Sequence, residues 1–129
     1  MNIGKAAKLS DLTIKTVRYY ANIGLIKPTQ NPLTGYREHN EEEVSKLKFI
    51  RKARKFDFSI NECKELLSLY EDKNRTSKEV KKITLEKISQ IENKLKDLND
   101  LKKELSFLAN NCHGDDKPNC PILDELSKN

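Results

Sequence analysis

Cys112 and Cys120 close the stretch Cys-His-Gly-Asp-Asp-Lys-Pro-Asn-Cys, and Pro121 follows directly. A thiolate is among the softest ligands a side chain can offer, so two of them on one short loop suggest a soft-metal sensor. Two other readings stay open on the residues alone. His113, Asp115 and Asp116 could complete a four-donor, zinc-type site with the two cysteines. Alternatively, Cys112 and Cys120 could form a reversible disulfide, although no Cys-X-X-Cys motif is present. Cys63, between Glu62 and Lys64, reads as a packed or bystander thiol, and His39 as structural.

The element that must carry this loop is a long helix. Thr76 followed by Glu79 is a capping signal, and no Gly or Pro interrupts the chain from there to about Asn110, roughly nine turns. Ile88, Ile91, Leu95, Leu98, Leu101, Leu105 and Leu108 recur at spacings of three and four, the seam of a coiled coil. A lone helix of this length cannot bury such a seam, so a two-fold homodimer is expected.

A separate module precedes it. Ile3 to Leu25 reads as two short helices broken at Ser10 and Asp11, with Thr13 as N-cap of the second and Gly24 turning the chain after it. Over about Ile14 to Asn22 that second helix carries Lys15, Arg18, Tyr19 and Tyr20, with Ile14 and Val17 available to pack inward. Pro28, Asn31, Pro32 and Gly35 forbid a helix and predict a turn-rich hairpin, a wing, presenting Tyr36 and Arg37. Asn40 with Glu43, then Ser59 with Glu62, predict helices to about Lys55 and Tyr70. Val44, Leu47, Phe49 and Ile50 supply apolar packing for the first of these.

Charge separates the two parts. Residues 1–70 hold 13 Lys and Arg against 8 Asp and Glu, whereas residues 71–129 hold 12 against 12. The whole excess of +5 therefore sits on the module with the paired helices and wing, the footprint of phosphate-backbone binding. Lys15 and Arg18 could reach phosphates or base edges, and Tyr20 could add a phosphate hydrogen bond. Tyr36 and Arg37 stand where a hairpin tip meets the backbone, and Arg54 belongs to a basic cluster with Arg51, Lys52 and Lys55. Apolar runs of about 18 residues and a signal-peptide core are both lacking, so a cytoplasmic location without a membrane partner is expected. An enzyme is not expected, because neither a His, Glu and metal constellation nor a Gly-rich phosphate loop occurs.

Ile3-Gly4-Lys5-Ala6-Ala7, Thr16-Val17-Arg18-Tyr19-Tyr20, Gly24-Leu25-Ile26 and Gly35-Tyr36-Arg37 resemble the MerR family of transcription regulators. The resemblance spans almost the whole chain. It implies a fold dominated by helices: a winged helix-turn-helix DNA-binding domain over 1–70, an antiparallel coiled-coil dimerisation helix over 76–110, and a metal-binding loop with a short C-terminal helix over 111–129. It also implies binding to double-stranded promoter DNA and activation by twisting an over-long spacer for RNA polymerase. The C-terminal loop is similar to that of the family's copper-efflux regulators, which implies that Cys112 and Cys120 hold a monovalent ion. Cu(I) is the first choice, with Ag(I) and Au(I) behind it. In the family's divalent-metal sensors the position of Ser77 is a cysteine, so the resemblance makes Ser77 a selectivity position at which a third thiolate is missing. A monovalent ion with two thiolates leaves one negative charge, which a helix started by Pro121 beside Cys120 would stabilise. A divalent-metal regulator of zinc type, or a thiol redox regulator on the same scaffold, remains the alternative.

Overall fold

A computed structural model describes residues 1–129, which divide into two compact units, Met1–Lys82 and Ile83–Asn129. In the first unit, α1 (Ile3–Ser10) and α2 (Ile14–Asn22) precede a two-stranded wing, β1 (Thr29–Gln30) and β2 (Arg37–Glu38). Helices α3 (Glu41–Lys55) and α4 (Ile60–Glu71) complete it, and α5 (Ser77–Asn111) begins there. The second unit holds most of α5, the thiol loop and α6 (Pro121–Leu126). No helix is long and apolar enough to cross a membrane.

Local chemistry sets the boundaries of the first unit. The Asn2, Thr13 and Asn40 side chains accept from the backbone N–H three residues on, at 2.9, 3.1 and 2.9 Å. Each satisfies an otherwise orphaned donor of a first helical turn. Ser59 and Glu62 form a reciprocal capping box at the start of α4. The chain reverses after α1 because Asp11 adopts a left-handed conformation at φ 57°, which lets Leu12 N–H reach the Ala7 carbonyl at 2.9 Å. Gly24, at φ 82°, makes the corresponding turn after α2, where a side chain would be strained. Glu41, Glu42 and Glu43 open α3, and Lys52, Arg54 and Lys55 close it, both favourable against the helix dipole.

The core lies where α1, α2, α3 and α4 meet, with Ala6, Val17, Ile26, Leu47, Ile50 and Cys63 buried. The small residues Ala6 and Ala7 let α1 approach its neighbours, and buried Ser10 returns its hydroxyl to the Ala6 carbonyl at 2.7 Å. The stripe on α2 differs from expectation at one end. Val17 is buried while Ile14 is 44 % exposed, because the inner face of that helix continues from Val17 to Tyr20 rather than back to the first turn. Phe49 is half-buried rather than central, its ring 5.2 Å from that of Tyr70.

The wing is antiparallel, with Thr29 opposite Glu38 and Gln30 opposite Arg37. So short a ladder depends on its turn. Asn31 organises that turn: its side-chain oxygen accepts from Leu33 and Thr34 N–H, its amide donates to Glu38, and its carbonyl accepts from Gly35 N–H.

In the second unit α5 carries the expected stripe, but Leu95, Leu98, Leu101 and Leu105 are each more than half exposed, and Ile91 and Leu108 half-buried. The one buried side chain of α5 is Lys87, which donates to Gln90 at 2.8 Å.

Leu47→Ala leaves a void between helices that have no flexible loop to fill it. The expected cost is about 2–5 kcal/mol, read as a lower urea midpoint at unchanged m-value.

Candidate nucleic-acid interface and thiol loop

Five of the basic and aromatic candidates are exposed on α2 and the wing: Lys15, Arg18, Tyr19, Tyr36 and Arg37. A cleft of about 370 Å³ between these elements brings Arg18, Tyr36 and Arg37 together with Asn2 and Asn22. Arg37 is held from the helix side, its Nη2 donating to Asn22 Oδ1 at 2.8 Å. Two guanidinium groups and a phenol at one concave surface form an environment suited to a phosphate. Asn22 was not a sequence candidate. Its position one helical turn after Arg18, on the same face of α2, is the signal that would have found it.

Tyr20 corrects the expectation that all the cations and aromatics of α2 share its outer face. It is 6 % exposed and, three residues after Val17, packs on the inner side of α2 with its phenol beside Arg54, rather than standing on the outer face. Burial pushes its phenol above the ordinary value, and the neighbouring Arg54 guanidinium pulls it partly back. Arg54 remains exposed, with Nη1 donating to the Phe58 carbonyl at 2.9 Å. This bond fastens the turn between α3 and α4, where Asp57 sits at φ 69°. Arg51, in the same basic cluster, pairs with Asp11 at 2.8 Å, an exposed bridge of small energetic weight.

His39 is buried at the root of the wing, its Nδ1 3.0 Å from Glu43 Oε2. The pair is close without satisfying hydrogen-bond directionality, so its value lies in packing and charge proximity rather than in an aligned bond. Cys63 is fully buried with Sγ 4.0 Å from the Phe58 carbonyl, a packing thiol remote in character from a ligand.

The other two cysteines are different. Cys112 and Cys120 are free thiols, both half-buried. Cys112 directly follows α5, its N–H donating to the Ala109 carbonyl at 3.2 Å. Cys120 is the N-cap residue of α6, yet its side chain makes no capping bond and Pro121 occupies the first helical position. Between them Gly114 turns the loop at φ 61°, and Asp115 Oδ1 accepts from Lys117 N–H at 2.9 Å. His113, Asp115 and Asp116 are exposed. No three His, Cys, Asp or Glu side chains come together as a metal-binding group. Ser77 is exposed as the first residue of α5, at the opposite end of that helix from Cys112.

Comparison with known proteins adds sequence and structural relatives. Residues 1–70 match the family model described as "MerR HTH family regulatory protein", and residues 44–108 match "MerR, DNA binding". The HTH-type transcriptional regulator HmrR of Rhizobium leguminosarum bv. viciae is 46 % identical over 127 residues, covering 98 % of each chain. CueR, an HTH-type transcriptional regulator of Salmonella typhimurium, is 41 % identical over 98 % of this chain and 92 % of its own. The crystal structure of the transcription regulator PbrR691 from Ralstonia metallidurans CH34, in complex with lead(II), superposes with a TM-score of 0.84. It is 31 % identical, covering 98 % of this chain and 99 % of that one.

The Tyr20 phenol, raised in the folded state by burial, contributes stability that is present below its ordinary value of 10.0 and is lost as pH rises through the higher folded value. Tyr20→Phe removes the ionisable hydroxyl and flattens this loss. Urea midpoints of the two proteins compared across pH 9 to 11, a range of about one unit on either side of the ordinary phenol, provide the check.

Proposed function

The chain belongs to the MerR family of helix-turn-helix regulators, DNA-binding proteins rather than enzymes, and from that premise we propose a metal-responsive transcription activator sensing Cu(I) through Cys112 and Cys120. The carrying observation is the pair of free, half-buried thiols that open and close one loop.

Three working parts fit this reading: residues 1–70 for promoter DNA, 76–110 for dimerisation, and 111–129 for the metal. Lys15, Arg18, Tyr19, Tyr36, Arg37 and Arg54 face the duplex, with phosphate contacts setting position and groove contacts setting sequence choice. Tyr20 supports Arg54 from behind. A second copy of the chain covers the leucine seam of α5 in an antiparallel coiled coil, where full burial of each leucine is worth about 1.5–3 kcal/mol.

Cys112 and Cys120 would hold Cu(I), or Ag(I) or Au(I), which when bound would supply a soft acceptor matched to two thiolates. Both thiols then give up their protons, and the residue after α5 becomes tied to the N-cap of α6. The tether restricts the loop at the end of the dimerisation helix. The dimer, already on DNA, is thereby biased between two shapes, and the cost of deforming the duplex carries the signal to RNA polymerase in the cytoplasm. Target genes for coinage-metal efflux or detoxification suit such a sensor.

A divalent reading draws support from the lead(II) complex of PbrR691. Against it stands Ser77, where the family's divalent sensors place a cysteine. A zinc-type ion usually calls for about four ligands. A thiol redox regulator is the third possibility for the same cysteines.

A competition titration of the reduced dimer with Cu(I) and Zn(II), under anaerobic buffered-metal conditions with transcription read in the same samples, separates these readings. Activation by Cu(I) at far lower free metal than Zn(II) is expected. Activation by zinc, or by oxidant without metal, moves the function to the divalent or redox regulator. Cys112→Ser or Cys120→Ser should abolish the metal response while changing metal-free promoter affinity by less than about a factor of a few, because on this reading neither thiol touches the duplex. Arg18→Ala should cost about 1–3 kcal/mol in promoter affinity if it reads a base, measured by titration of labelled duplex; an unchanged affinity removes it from the contacts.

A further inference from the structure

Arg37 lies on a strand of two residues, in a hairpin with little packing of its own, which is poor support for a side chain expected to hold one geometry on a phosphate. Its cross-strand neighbour is Gln30, whose amide nitrogen is committed to the Gly35 carbonyl at 3.0 Å. Glu38, next along the strand, is engaged by the Asn31 amide. The side chain that holds the Arg37 guanidinium comes from another element: Asn22, the last residue of α2, which accepts from Nη2 at 2.8 Å across 15 residues of sequence.

We propose that Asn22 is a positioning residue for promoter binding, fixing Arg37 so that its remaining donors converge with Arg18 and Tyr36 on one phosphate in the cleft between α2 and the wing. The inference rests on the reading that Arg37 touches the duplex. Three features make Asn22 suited to the task. Its amide oxygen orients a guanidinium fork without neutralising it, whereas a carboxylate at that place would orient Arg37 and compete with the phosphate for its charge. It stands one turn after Arg18 on α2, so the helix that presents the first guanidinium also sets the second. It also ties the wing to α2 at the mouth of the cleft that Asn2 borders from the start of α1. A long flexible cation held by one bond before the ligand arrives loses less freedom on binding.

The test is a double-mutant cycle in the full chain, read as affinity and salt dependence on a duplex selected by the wild-type protein from a randomised pool. Arg37→Ala should weaken binding and lower the slope of log affinity against log salt by about one. Asn22→Ala should weaken binding about three- to tenfold with little change in melting temperature, since the bond it removes is exposed and of small net worth to stability. Placed in the Arg37→Ala background, it should cost less than about twofold, the signature of two side chains acting as a unit. An Asn22→Ala loss that persists at full size without Arg37, or no loss in either background, overturns the positioning role. Wild-type affinity and slope in Arg37→Ala overturns the reading beneath it, by removing Arg37 from the duplex contacts.

Discussion

Helix α5 has 35 residues and buries no apolar side chain, and the remaining functional parts depend on how that deficit is met. Exposed over half their surface, Leu95, Leu98, Leu101 and Leu105 form a continuous stripe that intrinsic helix propensity alone supports only weakly in water. In the proposed dimer a second copy of the same stripe covers it. On the proposed reading, this pairing does more than stabilise the helix. It sets two basic modules at a fixed separation, which is what allows a dimer to impose a shape on a duplex.

The DNA-facing unit solves a different problem with small means. Three helix starts are specified by the single side chains of Asn2, Thr13 and Asn40 and two turns by the left-handed Asp11 and Gly24, and the core of Ala6, Val17, Leu47 and Ile50 is compact enough for α2 to be a rigid presenter. The wing cannot be rigid by core packing, since both strand positions on each side are exposed. Its shape is held by polar bonds instead: Asn31 within the hairpin and the Arg37 bond to Asn22 between elements. Polar attachment at an interface with a polyanion has a functional logic. On the proposed reading, groups that meet phosphate remain solvated until the duplex arrives, and few buried charges are left stranded when it departs.

The sequence made much of this plan legible because its signals are local. Thr13, Asn40 and Ser59 each cap the helix expected of them, and the break after Ser10 comes at Asp11. The long heptad pattern becomes a continuous helix ending at Asn111, one residue past the expected boundary. What local pattern did not convey was which way a short helix turns its faces. A helix of nine residues offers two plausible inner stripes, and tertiary packing chose Val17 with Tyr20 over Ile14 with Val17. The bond from Asn22 to Arg37 was hidden for a related reason. It joins residues 15 apart through a wing whose approach to α2 no periodicity encodes.

Selectivity in the thiol loop turns on which donors the fold leaves available. One oxygen of Asp115 accepts from the Lys117 backbone N–H in the turn that Gly114 begins. Cys120 is the reverse case. An N-cap position normally invites a side-chain oxygen to satisfy the first turn of its helix, but the Cys120 side chain makes no such bond and Pro121 removes one of the donors that would need it. The fold thus uses one carboxylate oxygen in the turn and leaves the Cys120 side chain without a capping bond at the opposite end of the loop from Cys112. On the proposed reading the two soft donors of such a loop suit an ion content with two thiolates better than one that must recruit four ligands.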